Sequence, residues 1–225
     1  MKTETYQNKE LAYFTNPRLD LISLLPENPQ QKVLEIGMGG GDTLVHIKQH
    51  RLASEVVGID LVELPNTNQQ NALINQVHYI DLDKEELPYD AGYFDVVIAG
   101  DVLEHLIDPW EAVKKLTSVV KVNGCLLISL PNIRDMYALY SLFFKGSFAY
   151  TNRGIFDKTH MRFFCKKDMI ALIESEKNLK IEVIMPIQNF GDKNFKRKLF
   201  NKFTLSMLEE FTTAQYLFKV IKTAY

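Results

Sequence analysis

Two sets of residues in this chain have types and spacings that can do chemistry. The first is Glu35-Ile36-Gly37-Met38-Gly39-Gly40-Gly41-Asp42, followed by Asp60 and Asp81 at the ends of later apolar runs. The second is Asp101-Val102-Leu103-Glu104-His105, with a distant Asp157-Lys158-Thr159-His160-Met161-Arg162. Gly37, Gly39 and Gly41 permit a sharp backbone turn and close approach of a ligand. Asp60 follows Val56-Val57-Gly58-Ile59. In a nucleotide-binding βαβ unit an acid about 20 residues past the glycines meets ribose hydroxyls, so the loop predicts an adenosine-like ligand. The third glycine comes two residues after the second, and Asp42 at the helix start, a good N-cap, would repel a phosphate. A cationic, phosphate-free ligand therefore suits the loop better than a pyrophosphate. In the second set, imidazoles titrate near neutral pH. Two carboxylates and two imidazoles (Asp101, Glu104, His105, His160) could also hold a divalent cation.

These residues need strands to end at one edge. Strand candidates lie at 32–36, 55–59, 77–80, 94–99, 124–130, 180–185 and 215–221, with helical patterns between most of them. The clearest helix is 109–121, with Pro109 in its first turn and Trp110, Val113, Leu116 and Val120 on one stripe. A second helix runs Lys166–Glu176, and residues 6–25 read as a helical lead-in with Leu19, Ile22 and Leu25 on one face, stopped by Pro26. Alternating strands and helices predict a doubly wound, mostly parallel sheet, which keeps ligands at the carboxyl ends of its strands. The chain divides into a single domain, 1–225, with 1–29 as lead-in and 131–165 as a long, aromatic-rich lid or substrate segment. The other reading of 131–165 is a small helical elaboration that packs its aromatics on the sheet.

Composition narrows the class. The 225 residues carry a net charge of −2 and 46% hydrophobic residues, which predicts an ordinary core and gives no global sign of nucleic-acid binding. Two cysteines, Cys125 and Cys165, form neither a zinc spacing nor a secretory framework. No leader or membrane-spanning run is read, and the cytoplasm is the expected location. Oligomeric state is left open.

At the glycine loop the chain resembles the class I S-adenosylmethionine-dependent methyltransferases, whose first motif is an acid-x-Gly-x-Gly-x-Gly loop. The resemblance implies a seven-stranded Rossmann-like methyltransferase fold, with Gln215–Ile221 inserted antiparallel beside the sixth strand. It implies S-adenosyl-L-methionine as cofactor, Glu35 near the charged methionine end, and Gly37, Gly39 and Gly41 shaping that pocket. Asp60 and its neighbour Leu61 would take the ribose, Asp81 and Leu82 the adenine, and Asp101 and Val102 would line the cofactor. A carboxylate can accept from the exocyclic adenine N–H, although an Asp at a strand end also caps turns.

The string Val102-Leu103-Glu104-His105-Leu106, then Asp108-Pro109, resembles the post-strand-four motif of small-molecule and sugar methyltransferases. Leu130-Pro131-Asn132 and Asp157-Lys158-Thr159-His160-Met161-Arg162-Phe163 resemble a bacterial subgroup associated with polysaccharide and glycan biosynthesis. These likenesses predict O-methylation of a hydroxyl on a sugar, nucleotide sugar or glycan. A hydroxyl acceptor loses a proton, so His105 or His160 is the candidate base, His105 first, with Glu104 beside the acceptor. Arg134, Tyr137, Arg153 and Arg162 are the candidate substrate contacts, since arginine suits an anionic acceptor. The alternatives are a quinone-type or natural-product phenol O-methyltransferase, a non-catalytic cofactor-binding module, and a metal-assisted RNA 2′-O-methyltransferase. The last rests on Asp-x-x-Glu-His with a later His, which is similar to the metal site of small-RNA 2′-O-methyltransferases. Those enzymes carry Glu where this chain has Asp101, and the principal reading uses no metal. Lys193, Lys196, Arg197, Lys198 and Lys202 read as the solvated face of a helix whose Phe195, Leu199, Phe200 and Phe203 turn inward.

Overall fold

The computed structural model describes residues 16–188 and 208–224. The strands are β1 (Lys32–Ile36), β2 (Glu55–Asp60), β3 (Gln76–Tyr79), β4 (Phe94–Gly100), β5 (Val120–Pro131), β6 (Leu179–Ile187) and β7 (Gln215–Lys222). They form one seven-stranded sheet in the order β3-β2-β1-β4-β5-β7-β6. The pairings from β3 through β5 are parallel, and β7 lies antiparallel between β5 and β6. This is the expected Rossmann-like arrangement.

Alternation along the central strands builds two cores. Leu34, Ile36, Val97 and Ala99 face one side; Val33, Val96 and Ile98 face the other. Both faces are therefore apolar, as a parallel sheet covered by helices requires. Helix α1 is Leu19–Ile22, α2 is Asp42–Gln49, α3 is Pro109–Val119, α4 is Met136–Phe144, α5 is Lys166–Ile173 and α6 is Glu209–Thr212. Val113 and Leu116 of α3 enter one core, and Leu44 and Ile47 of α2 enter the other. Burying such a side chain contributes roughly 1.5–3 kcal/mol. Pro109 opens α3 as expected, and the Asp108 carboxylate accepts from the Trp110 and Glu111 N–H groups.

Several expected details differ. Helix α3 stops at Val119, because Val120 already pairs with Phe94 as strand. Trp110 stands exposed rather than on the buried stripe. Helix α5 ends at Ile173, three residues short of Glu176. Of the 6–25 lead-in, the described part holds a single helical turn. Its anchor is Leu21, fully buried, while Leu19 is exposed. Leu21 fits over Gly100, where an added Cβ would lie 2.8 Å from Leu21 Cδ1. Asp42 is the first helical residue, and the N-cap is Gly41 at φ 84. The basic string at 193–202 and residues 6–15 of the lead-in lie outside the described residues.

Candidate active site

A cavity of about 440 Å³ opens at the carboxyl ends of β1, β2 and β4, a volume ordinary for small-molecule sites. Glu35, Gly37, Gly39, Asp60, Leu61, Asp81, Leu82, Asp101 and Val102 line it, together with Glu104, His105 and His160. The two chemistry-bearing sets thus meet in one space.

On the strand-end wall, Gly37 turns the chain at φ +67, and a Cβ there would lie 2.6 Å from Val102 Cγ2. The Gly37 N–H donates to the Ile59 carbonyl at 2.8 Å. Asp60 accepts from Gly39 N–H at 2.8 Å and from Leu61 N–H at 2.7 Å, so it ties the β2 end to the glycine loop. Burial raises its pKa, and those backbone donors oppose the rise. Gly41 does not line the cavity. It caps α2, where a Cβ would meet Ile74 and the Asn68 backbone at 3.0–3.1 Å. Asp81 lines the wall while capping its own turn: it accepts from Asp83 N–H at 3.2 Å and pairs with Lys84 at 2.7 Å.

Glu35 is buried, and burial pushes its carboxyl up to about 8, against the pull of the Thr43 hydroxyl and the Arg18 charge. Its Oε2 has no hydrogen-bond partner. A buried acid with an unsatisfied oxygen at a cavity wall suits a cationic ligand.

Asp101 sits at φ 57 after β4. Its carboxylate accepts from Arg18 Nη1 at 2.9 Å, from Ser129 Oγ at 2.9 Å and from Gln215 Nε2. Burial disfavours the Arg18 charge, but Asp101, Asp20 and Glu35 more than offset this, and its pKa is raised. Arg18 and Gln215, which also line the cavity, and Ser129 are site residues that sequence reading missed. They lie 83, 114 and 28 positions from Asp101, with no local pattern to mark them.

The opposite wall is built by two interlocked segments. The carbonyl of Glu104, in the 3₁₀ turn Leu103–His105, accepts from Met161 N–H at 2.8 Å and Arg162 N–H at 3.0 Å. Buried Asp157 accepts from the Thr159 N–H and hydroxyl, shaping the turn that presents His160. His105 Nδ1 lies 3.0 Å from the Thr159 carbonyl, and His160 Nδ1 lies 3.1 Å from the Ile155 carbonyl. A carbonyl can only accept, so each neutral ring carries its proton on Nδ1, leaving Nε2 as the basic nitrogen. The two rings meet edge to face at 4.7 Å between centroids. The Glu104 side chain is 1% exposed, and its Oε1 lies 3.9 Å from His160 Nε2. Burial, with Asp101 nearby, holds the Glu104 carboxyl well above the usual carboxylate range. One potential ligand atom from each of Glu104, His105 and His160 lies within 4.8 Å of the others. Asp101 is not part of that group.

The four expected substrate residues do not reach the cavity wall. Arg134 pairs with Glu210 at 2.5 Å and covers the Phe211 ring. Tyr137 and Arg153 are exposed, and Arg162 donates to the Ile107 carbonyl at 2.5 Å. Pro131, Gly154, Ile155 and His160 represent the lid segment in the cavity instead.

Residues 34–128 match the methyltransferase domain family Methyltransf_11. Over 117 residues the chain is 31% identical to the ubiquinone biosynthesis O-methyltransferase of Acinetobacter baumannii strain AYE, covering 50% of this chain and 48% of that protein. Over 131 residues it is 30% identical to the ubiquinone/menaquinone biosynthesis C-methyltransferase UbiE of Vibrio campbellii, covering 51% and 50%. The chain spans about half the length of these curated relatives. Among solved structures, an S-adenosylmethionine-dependent methyltransferase from Archaeoglobus fulgidus superposes with a TM-score of 0.61 at 20% identity, covering 91% of each chain.

Proposed function

We propose that this chain, whose fold is that of the S-adenosylmethionine-dependent methyltransferases, is such an enzyme and that its acceptor atom is a hydroxyl oxygen. The observation that carries the reading is a single cavity with the glycine loop and buried acids on one wall and the Glu104–His105–His160 cluster on the other. The unsatisfied Glu35 oxygen at the cavity wall fits a cationic cofactor. Glu35 would face its methionine end, Asp60 and Leu61 the ribose, and Asp81 and Leu82 the adenine. Asp101 and Val102 would border its centre.

S-adenosylmethionine supplies an activated methyl group when bound. The chain's own task is then to align the acceptor, exclude water and remove a proton. The Nε2 atom of His105 or His160 serves as base, held in that tautomer by a backbone carbonyl. Incubation with cell extract should yield S-adenosylhomocysteine, and its absence would favour a non-catalytic binding module. Asp60→Ala should weaken cofactor binding in calorimetry by about tenfold, the loss of one charge-assisted contact. Full turnover in both His105→Ala and His160→Ala would rule out the base.

For the acceptor, the Leu130–Asn132 and Asp157–Phe163 strings support a sugar, nucleotide sugar or glycan. The names of the curated relatives support a quinone-type phenol. Mass spectrometry of both classes after incubation decides between them.

A second reading has a specific observation in its favour. Metal-ligating histidines characteristically donate their other ring N–H to a carbonyl, as His105 and His160 do, and Glu104 Oε2 lacks a hydrogen-bond partner. Glu104, His105 and His160 would hold a divalent cation, which would supply Lewis acidity at the acceptor hydroxyl. Loss of activity with chelator and return with divalent metal would establish this variant; indifference to chelator leaves the imidazole base.

A further inference from the structure

Helix α4 is apolar at every position except Ser141, yet only Ala138 and Ser141 are buried. Ala138 packs in the small cluster with Ile155 and Phe156, and the Ser141 hydroxyl donates to the Ser147 carbonyl. Of fourteen large apolar side chains exposed among the described residues, seven lie between Met136 and Tyr150. Phe143 is 87% exposed and Phe144 77%. A helix apolar on nearly all sides is ordinarily covered.

The rings connect to one another and to the cavity rim. Phe144 stacks near Phe143 and Tyr140, and Lys145 Nζ lies 5.6 Å from the Tyr140 ring. Tyr137 touches Phe156, next in sequence to the cavity-lining Ile155.

Charge along the segment that carries this face has one sign. Between residue 136 and the start of α5 at Lys166 the only acid is Asp157, which is fully buried, whereas Lys145, Arg153, Lys158 and Arg162 are exposed. The chain as a whole is slightly acidic, at −2. A two-fold contact with a second copy would bring these like charges together. Exposed aromatics with flanking cations instead match the interface of an anionic bilayer.

We propose that α4 and the loop through Arg153 dock on an anionic phospholipid surface and hold the cavity mouth against it. The docking does not depend on methyl transfer, so its test needs no acceptor. The full chain should cosediment with phosphatidylglycerol-containing vesicles and much less with phosphatidylcholine alone, and salt should weaken the binding. Phe143→Ser/Phe144→Ser should lower the vesicle partition by roughly tenfold or more while leaving cofactor affinity and the circular dichroism spectrum unchanged. Lys145→Glu/Arg153→Glu should remove the preference for anionic lipid. Native protein that ignores anionic vesicles, or a Phe143/Phe144 variant that binds them equally, overturns the proposal. A concentration-dependent dimer that the Phe143/Phe144 variant abolishes, without vesicle binding, also overturns it. So does a Phe143→Cys thiol shielded from maleimide in vesicle-free protein, which would place another part of the chain on the helix.

Discussion

On the strand-end wall of the cavity, the Gly37 N–H donates to the Ile59 carbonyl and the Gly39 N–H to the Asp60 carboxylate, so the glycine loop is tied to the end of β2. Across the cavity, Glu104 and His105 are held by a segment more than 50 residues away: His105 by the Thr159 carbonyl, the Glu104 carbonyl by Met161 and Arg162. The first wall continues the sheet. The second is a contact between a short 3₁₀ turn and a loop, with the exposed aromatics of α4 beyond it. A wall continuous with the sheet inherits its rigidity, while a loop-built wall can be rebuilt for a different acceptor.

The sharpest way to break that comparison is to place the same side chain in both regions. Gly37→Ala meets a left-handed φ and Val102 Cγ2 together, whereas Gly146→Ala in the lid segment meets φ +58 and open space. The first should cost about 2–5 kcal/mol and most of the cofactor affinity, the second about 1–2 kcal/mol and none of it. Denaturant unfolding with calorimetry reads both, and equal costs would dissolve the distinction.

Glu35 offers a pH test of the strand-end wall. Its folded pKa of about 8 lies above the ordinary 4.5, so the folded state holds a proton that the unfolded chain releases. Its contribution to stability is therefore full below about pH 4.5 and falls as pH rises toward 8, by up to ~1.4 kcal/mol per pH unit. Glu35→Gln should flatten that slope. A cationic ligand would favour the ionised form, so binding at pH 7 should release a proton. Calorimetry in buffers of different ionisation enthalpy measures it, and no release would separate Glu35 from the ligand's charge.

Arg18 links the two walls through Asp101. Arg18→Met should destabilise by about 1–2 kcal/mol, because the pair is partly solvated, with non-additivity against Asp101→Asn in a double-mutant cycle. Smallest of all should be Arg134→Ala, which removes a half-exposed pair with Glu210, below about 1 kcal/mol and with no change in cofactor affinity. A large loss of acceptor turnover in that variant would return Arg134 to the substrate side.

Much of the strand-end wall was legible in advance. Glu35, Gly37, Asp60 and Asp81 each sit where an apolar run gives way to a turn, a local pattern that backbone sterics and side-chain alternation impose on any parallel sheet. The lid was legible as a long aromatic segment, but not in its exposure: α4 has the composition of a core helix, and only its position shows six large apolar side chains facing outward, Met136, Tyr137, Tyr140, Leu142, Phe143 and Phe144. That the expected arginines lie off the cavity wall was illegible for a related reason, since charge type says nothing about which carbonyl or carboxylate a long side chain will find.

The amino-acid order by itself determined the strand and helix candidates and the sequence of acids and glycines along one edge, because those follow from interactions between near neighbours in the chain. Tertiary structure alone decided that Arg18, Ser129 and Gln215 would hold Asp101, and that His160 would meet Glu104 and His105. Those contacts join positions far apart in the chain, where no local periodicity couples them, and they exist only once β5, β7 and the lid have packed against the end of β4.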